Sequence, residues 1–152
     1  MRRLRGRPTI RSAFTLVELL IAICILGLLV ALALPPLHDA VELARVARAT
    51  AEIRGLQVEL AREERLPATL GAIGRAGLVD PWGNAYVYLP FERRGGIGAA
   101  RKDRFLVPLN TDYDLYSMGA DGATAPPLAA RQSQDDVIRA NNGSFVGLAS
   151  RY

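Results

Sequence analysis

The chain has 152 residues, half of them hydrophobic, with a formal charge of +4 and a single cysteine. Five of the nineteen basic residues lie within residues 1–13, so the remainder has fourteen basic and fifteen acidic residues and a formal charge of −1. This balance argues against nucleic-acid binding as a main function, and one cysteine excludes an intrachain disulfide.

The N-terminal region combines a basic segment with a long apolar run. Residues 1–13 contain five arginines and no acid, and no residue from Leu19 to Leu34 is charged. A helix rises about 1.5 Å per residue, so the stretch from Phe14 to Leu37 can cross the roughly 30 Å of bilayer hydrocarbon. The positive flank predicts a single span with a cytoplasmic N-terminus. Two alternatives are a buried helix, for which the remaining chain has too little apolar surface, and a secretory signal, for which no small-residue cleavage site follows the run.

Glu18 is the one charged residue within this stretch. A carboxylate in a membrane segment is costly to desolvate, and it therefore usually marks a functional site with a partner. The sequence indicates that Glu18 is a functional site with a partner.

The residues around Glu18, RSAFTLVE from Arg11 to Glu18, resemble the class III signal of type IV pilins and type II secretion pseudopilins. The resemblance implies that a prepilin peptidase cuts between Ala13 and Phe14 and methylates the new N-terminus. It also implies that Glu18 pairs with the amino group of Phe14 in a neighbouring subunit when a filament assembles. Ala13 departs from the pattern, because the family nearly always has glycine before the cut.

Residues 38–66 are predicted to continue the helix beyond the membrane, since they contain good helix formers and a shifting apolar stripe. Three ion pairs at helical spacing support this expectation: Glu42–Arg45, Arg48–Glu52 and Glu59–Arg62. The helix is expected to end near Leu66, because Pro67 disfavours helical geometry in the residue before it.

Residues 67–152 are sufficient for one small domain that packs on the helix. Three segments are predicted to be strands: Ala85–Leu89, Arg104–Leu109 and Asp112–Met118. We therefore predict an α+β fold in which a long N-terminal helix packs on a three-stranded antiparallel sheet, followed by a C-terminal loop region. Asn141–Ser144 is predicted to be a turn. The chain divides into a leader (1–13), a membrane and filament-core segment (14–37), a helix continuation (38–66) and a small β domain (67–152).

Two blocks in this domain narrow the resemblance. Asp80–Asn84 (DPWGN) and Asp114–Gly122 (DLYSMGADG), in this order, resemble the major pseudopilins of type II secretion, the general secretory pathway protein G family. That family carries a structural calcium ion in the loop after its last strand, and calcium takes six to eight oxygen ligands.

The resemblance implies calcium ligands at Met118, through its carbonyl, and at Asp121, Asp135 and Asp136. The segment between the acids, residues 123–134, is longer here than in the family. Alternatively, Asp135 and Asp136 are the solvated start of a helix over Val137–Ala140, where acids are favoured.

Together these features predict a pseudopilin that is not an enzyme. It would be held in the bacterial inner membrane with its C-terminal domain in the periplasm, where its filament drives protein export. Its predicted partners are further copies of the chain, other pseudopilins, the prepilin peptidase and the inner-membrane assembly platform. A minor or competence-type pilin, which has the same signal, is an alternative.

A third alternative is a signal-anchored periplasmic enzyme. The only histidine, His38, and the only cysteine, Cys24, lie on one predicted helix. Their separation is about 21 Å along the helix axis, so they form no catalytic pair.

Overall fold

The computed structural model describes residues 14–91 and 97–152 of the chain. Its helix α1 spans Leu16–Leu60. The helix ends at Leu60 rather than near Leu66, and the N–H groups of Arg62 and Glu63 donate to carbonyls three residues earlier, as in a tight turn. The last turn of α1 contains Glu59 and no basic residue, which is unfavourable at the C-terminal end of a helix.

By their internal contacts the residues form two units, one ending at Ala40 and one spanning Val41–Tyr152. In the first unit, every leucine, isoleucine and valine of α1 from Leu16 to Leu37 is more than half exposed. Such an apolar surface is unfavourable in water, so this segment needs an apolar surrounding.

The second unit contains a four-stranded antiparallel sheet in which strands that follow one another in the chain are also neighbours in space. Its strands are β1 (Val87–Pro90), β2 (Tyr113–Ser117), β3 (Val137–Ala140) and β4 (Phe145–Leu148). The α+β class is confirmed. Strand β1 overlaps the predicted segment Ala85–Leu89 and extends to Pro90, and β2 lies within Asp112–Met118. The sheet has four strands, and not three.

The predicted strand over Arg104–Leu109 is wrong. Asp103 and Leu106 form an isolated bridge in which each backbone N–H donates to the other residue's carbonyl, at 3.0 and 2.9 Å. Phe105, at the tip of this turn, is 95% exposed. The segment therefore forms a turn closed by Asp103 and Leu106, and it is not one of the four strands of the sheet.

Strands β3 and β4 were not predicted. All four residues of β3 are buried, so the segment lacks the alternation of apolar and polar residues that identifies a half-buried strand. The predicted turn after it is confirmed: Asn141–Gly143 forms a short 3-10 turn between β3 and β4. Asn141 and Asn142 have φ angles of 51° and 53°, a region that asparagine tolerates better than most residues.

Both faces of the sheet are covered. One face packs on the second half of α1, and this core contains Ala49, Ile53, Leu56, Leu60, Tyr86, Tyr113, Leu115, Val137 and Val146. The other face packs under loops, and its cluster contains Leu109, Leu128, Ile138, Ala140 and Ala149. Each large side chain buried in this way contributes about 1.5–3 kcal/mol, and α1 supplies Ala49, Ile53, Leu56 and Leu60 to the first of these clusters.

Two of the predicted ion pairs on α1 are confirmed. Glu42 lies 2.6 Å from Arg45, and Arg48 lies 2.8 Å from Glu52. The carboxylate of Glu59 is bound by Arg75, which follows the helix in the chain and places its Nε 2.8 Å from Oε2.

Candidate functional site

The N-terminus of α1 is capped by reciprocal hydrogen bonds between Thr15 and Glu18. The hydroxyl of Thr15 accepts the backbone N–H of Glu18 at 3.2 Å, and Oε2 of Glu18 accepts the N–H and the hydroxyl of Thr15, both at 3.1 Å. This arrangement is a capping box, which satisfies backbone donors that have no partner inside the helix. In the uncut chain, Glu18 therefore has a local partner.

Of the two predicted processing residues, the structure describes Phe14. Phe14 is 82% exposed just before the helix, whereas Ala13 lies outside the described residues. The pairing of Glu18 with the amino group of Phe14 requires a cut chain and a second subunit, so it stays a prediction.

Among the described residues, α1 is the helix that is long and apolar enough to cross a membrane. An 18-residue window of it has a mean hydropathy of 2.9, and none of that window is buried within the protein. Length and composition therefore agree with a single span, and its orientation stays a prediction.

The turn Asp80–Asn84 is bound directly to the end of β2. Asp80 is 4% exposed, and its Oδ1 accepts the backbone N–H groups of Trp82 and Asn84 at 3.0 and 2.9 Å. Its other carboxylate oxygen accepts the hydroxyl of Ser117. The side-chain amide of Asn84 donates to the carbonyl of Gly119 at 2.9 Å. The two sequence blocks on which the narrower resemblance rests are thus one structural unit.

Carboxylates of α1 bind aromatic residues in and after this turn. Nε1 of Trp82 lies 2.9 Å from a carboxylate oxygen of Glu42, and the hydroxyl of Tyr86 lies 2.6 Å from one of Glu52. Burial, together with the hydrogen bond to Glu52, raises the pKa of Tyr86, so its hydroxyl stays protonated as the donor. These bonds tie the turn and the start of β1 to the helix.

Residues 118–136, which connect β2 to β3, are named here the acidic loop. Gly119 begins its first turn with a φ of 64°, and a Cβ at this position would lie 2.5 Å from the carbonyl oxygen of Asp135. Asp135 in turn accepts the backbone N–H groups of Ala120 and Asp121 at 2.8 and 3.1 Å. Only glycine permits both the positive φ and this close approach, so Gly119 allows the two ends of the loop to meet.

The acidic loop is also held by a buried ion pair that was not predicted. Nη2 of Arg101 lies 2.6 Å from Oδ2 of Asp136, and their side chains are 2% and 0% exposed. The hydroxyl of Thr124 donates to the same oxygen at 2.6 Å and accepts from Nη1 of Arg101. Burial raises the pKa of Asp136, whereas the bonds from Thr124 and Arg101 act to lower it.

A second buried arginine, Arg139 of β3, binds Asp112 through two parallel hydrogen bonds of 2.8 Å each. Its guanidinium carbon also lies 3.9 Å from the centroid of the Tyr113 ring. Burial acts to raise the pKa of Asp112, but the bonds from Arg139 bring that pKa below its usual value. This ion pair joins the residue just before β2 to β3, next to the turn between β3 and β4.

The predicted calcium ligand Asp136 has one oxygen engaged within the chain. The guanidinium of Arg101 lies against its Oδ2, whereas its Oδ1 is buried without a hydrogen-bond partner. The described residues contain no group of three or more histidine, cysteine, aspartate or glutamate side chains that could hold a metal ion. Calcium binding by Met118, Asp121 and Asp135 stays a prediction. The alternative, a solvated helix start at Asp135 and Asp136, is wrong, because Asp136 is buried and β3 follows it.

The chain is similar to a component of type II secretion over most of its length. Type II secretion system core protein G of Pseudomonas aeruginosa is 28% identical over 138 residues, which covers 74% of this chain and 85% of the relative. No protein-family model matches the chain, and no solved structure matches it significantly. The resemblance to the major pseudopilins, predicted from the N-terminal signal and the two blocks, is confirmed by this similarity.

Proposed function

We propose that this chain is a pseudopilin, a subunit of a type II secretion system that assembles into a periplasmic filament and drives protein export. The observation that carries the proposal is the similarity to core protein G, which covers most of both chains. The joining of the two sequence blocks through Asp80, Asn84 and Gly119 supports it, because these blocks are the part of the β domain that resembles the family.

In the first proposed step, the subunit is held in the inner membrane. The arginines of residues 1–13 would hold the N-terminus in the cytoplasm, and the apolar first half of α1 would cross the bilayer. The prepilin peptidase would then remove residues 1–13 and methylate the amino group of Phe14. Copies of the chain, together with other pseudopilins, would leave the membrane through the inner-membrane assembly platform.

On filament assembly, the apolar first half of α1 would leave the lipid and pack against neighbouring subunits. The exposed leucine, isoleucine and valine side chains of α1 can pack against lipid or against the same segment of neighbouring subunits. The carboxylate of Glu18 is the group that gains most from an ordered neighbour, since a charge in an apolar medium needs an opposite charge. The amino group of Phe14 would supply that charge.

We propose a structural role and not a catalytic one. The buried carboxylates of the second unit hold the fold: Asp80 caps its own turn, Asp114 accepts from the backbone of Arg101 and from Asn110, and Asp136 binds Arg101. These side chains are engaged in support of the strands and loops, and the relative core protein G is named as a component of a secretion system.

The test is to produce the chain in bacteria with a prepilin peptidase and a type II secretion assembly platform, and to examine sheared filaments by electron microscopy with an antibody to the β domain. The proposal predicts labelled filaments, and none in cells without the platform. Processed chain that stays in the membrane fraction without filaments would contradict it. Filaments that form only with type IV pilus machinery would favour the competence-type pilin.

A further inference from the structure

Arg101 is a buried cation that joins three separate parts of the second unit. Its Nη2 binds Asp136 at the entry to β3, and its Nη1 binds Thr124 within the acidic loop. Its guanidinium carbon lies 4.4 Å from the centroid of the Tyr116 ring on β2. Its backbone N–H donates to Asp114, also on β2, at 2.6 Å. Arg101 is therefore one of the links between the acidic loop and the sheet, and it is the charged one.

A buried carboxylate is strongly unfavourable unless a positive charge lies beside it. For Asp136 that charge is present within the chain, at 2.6 Å and almost fully shielded from solvent. A divalent cation on the same carboxylate oxygen would lie within a few ångströms of the guanidinium, where like charges repel strongly. Oδ1 of Asp136 is buried without a hydrogen-bond partner, so a metal ion there would compete with the guanidinium for the charge of this carboxylate.

The other acids of the loop also have partners within the chain. Oδ2 of Asp135 accepts two backbone N–H groups, and Oδ1 of Asp121 accepts the N–H of Ala123 at 2.8 Å. These bonds hold the loop backbone in the way that the ligand bonds of an ion would hold it. Together with the Arg101 contacts, they connect residues 119–136 to each other and to β2.

We infer that Arg101 supplies the positive charge that holds the acidic loop to the sheet, in place of a divalent cation. The inference concerns the stability of the β domain and goes beyond the proposed function, since it holds whether or not the chain forms filaments. It departs from the calcium site that the family resemblance implies.

The test uses the full chain purified in detergent, with unfolding followed by near-ultraviolet circular dichroism, which reports on Trp82 and the tyrosines of the second unit. The wild-type melting temperature is expected to be the same in calcium and in excess chelator. Arg101→Met is expected to melt about 10 °C lower in both, because it leaves the carboxylate of Asp136 buried without its cation. Arg104→Met, which removes an exposed arginine nearby, is the matched control and is expected to melt like the wild type.

Arg101→Met combined with Asp136→Asn tests the pairing itself. The double variant is expected to recover part of the loss, because the buried carboxylate has been removed with its partner. A melting temperature of the wild type that falls when calcium is chelated would overturn the inference. An Arg101→Met variant that melts like Arg104→Met would also overturn it. If Arg101→Met does not fold, two melting temperatures still test the inference: that of the double variant, and that of the wild type in calcium compared with chelator.

Discussion

At the scale of single residues, Glu18 has a partner before any filament forms. Its carboxylate accepts the N–H and hydroxyl of Thr15, and these bonds cap α1. The proposed pairing with the amino group of Phe14 must therefore compete with the capping box. Opposite charges attract far more strongly where water is excluded, so the ion pair is favoured once a neighbouring subunit covers Glu18.

Replacing Glu18→Ala or Glu18→Gln is expected to spare membrane insertion and peptidase cutting and to abolish filament assembly. Glutamine keeps an oxygen that can accept from Thr15 but carries no charge, so it separates helix capping from ion pairing. Membrane fractionation, intact mass and electron microscopy of sheared filaments measure the three steps. Normal filaments from Glu18→Gln would show that the charge is not needed.

Asp112 and Arg139 determine part of the stability of the second unit in acid. Because the pKa of Asp112 lies below its usual value in the folded chain, its ionised form favours folding. That contribution is present above the pKa of the unfolded chain, about 3.9, and is lost as the pH falls through the lower folded value.

Asp112→Asn is expected to reduce stability at neutral pH and to flatten the fall in melting temperature below about pH 4. Melting curves of wild type and variant across this range measure the difference. The comparison isolates Asp112, because Asp114 and Asp136, whose pKa values burial raises, are the same in both proteins. Parallel pH profiles for the two proteins would contradict the assignment.

At the scale of elements, the contact between α1 and the turn Asp80–Asn84 organises the second unit. The helix contributes an apolar face to the core and carboxylates at its margin, where Glu42 and Glu52 accept from Trp82 and Tyr86. The same turn binds the end of β2 through Asp80. Helix, turn and sheet are thus connected by side chains that the sequence separates by 34 to 40 positions.

Trp82→Phe removes the indole N–H and keeps an aromatic ring in the same place. It is expected to lower the free energy of unfolding by about 0.5–1.5 kcal/mol, the usual contribution of one hydrogen bond, or somewhat more because its acceptor is charged. Chemical denaturation of the full chain in detergent measures the loss. The same substitution in a Glu42→Ala background, which lacks the acceptor, is the control and is expected to cost less. An equal cost in both backgrounds would show that the bond to Glu42 is not what Trp82 contributes.

The elements that could be predicted from the sequence are those with a local signature. The apolar run and the spaced charges predicted α1, and alternation predicted β1 and β2. β3 lacks alternation because helix and loops bury both of its faces, and the acids before it are equally typical of a helix start. The apolar residues 105–107 suggested a strand, whereas the backbone there closes on itself through Asp103 and Leu106.

At the scale of the whole molecule, the chain combines a segment that needs an apolar surrounding with a unit that has its own core. The site residues near the N-terminus were predictable, since the signal around Phe14 and Glu18 is continuous in sequence. The buried ion pair of Arg101 was not predictable. Its partners Thr124 and Asp136 lie 23 and 35 positions away, and nothing near Arg101 in the sequence indicates a buried charge. Long-range pairing of this kind is determined by the packing of the loops on the sheet.

If the chain is processed as a pseudopilin, the intact mass of protein purified from membranes depends on the peptidase. In cells with a prepilin peptidase, we expect the loss of residues 1–13 and the gain of one methyl group on Phe14. In cells without the peptidase, we expect the full-length mass. A full-length mass in both would mean that the enzyme does not accept Ala13, and it would contradict the proposed processing.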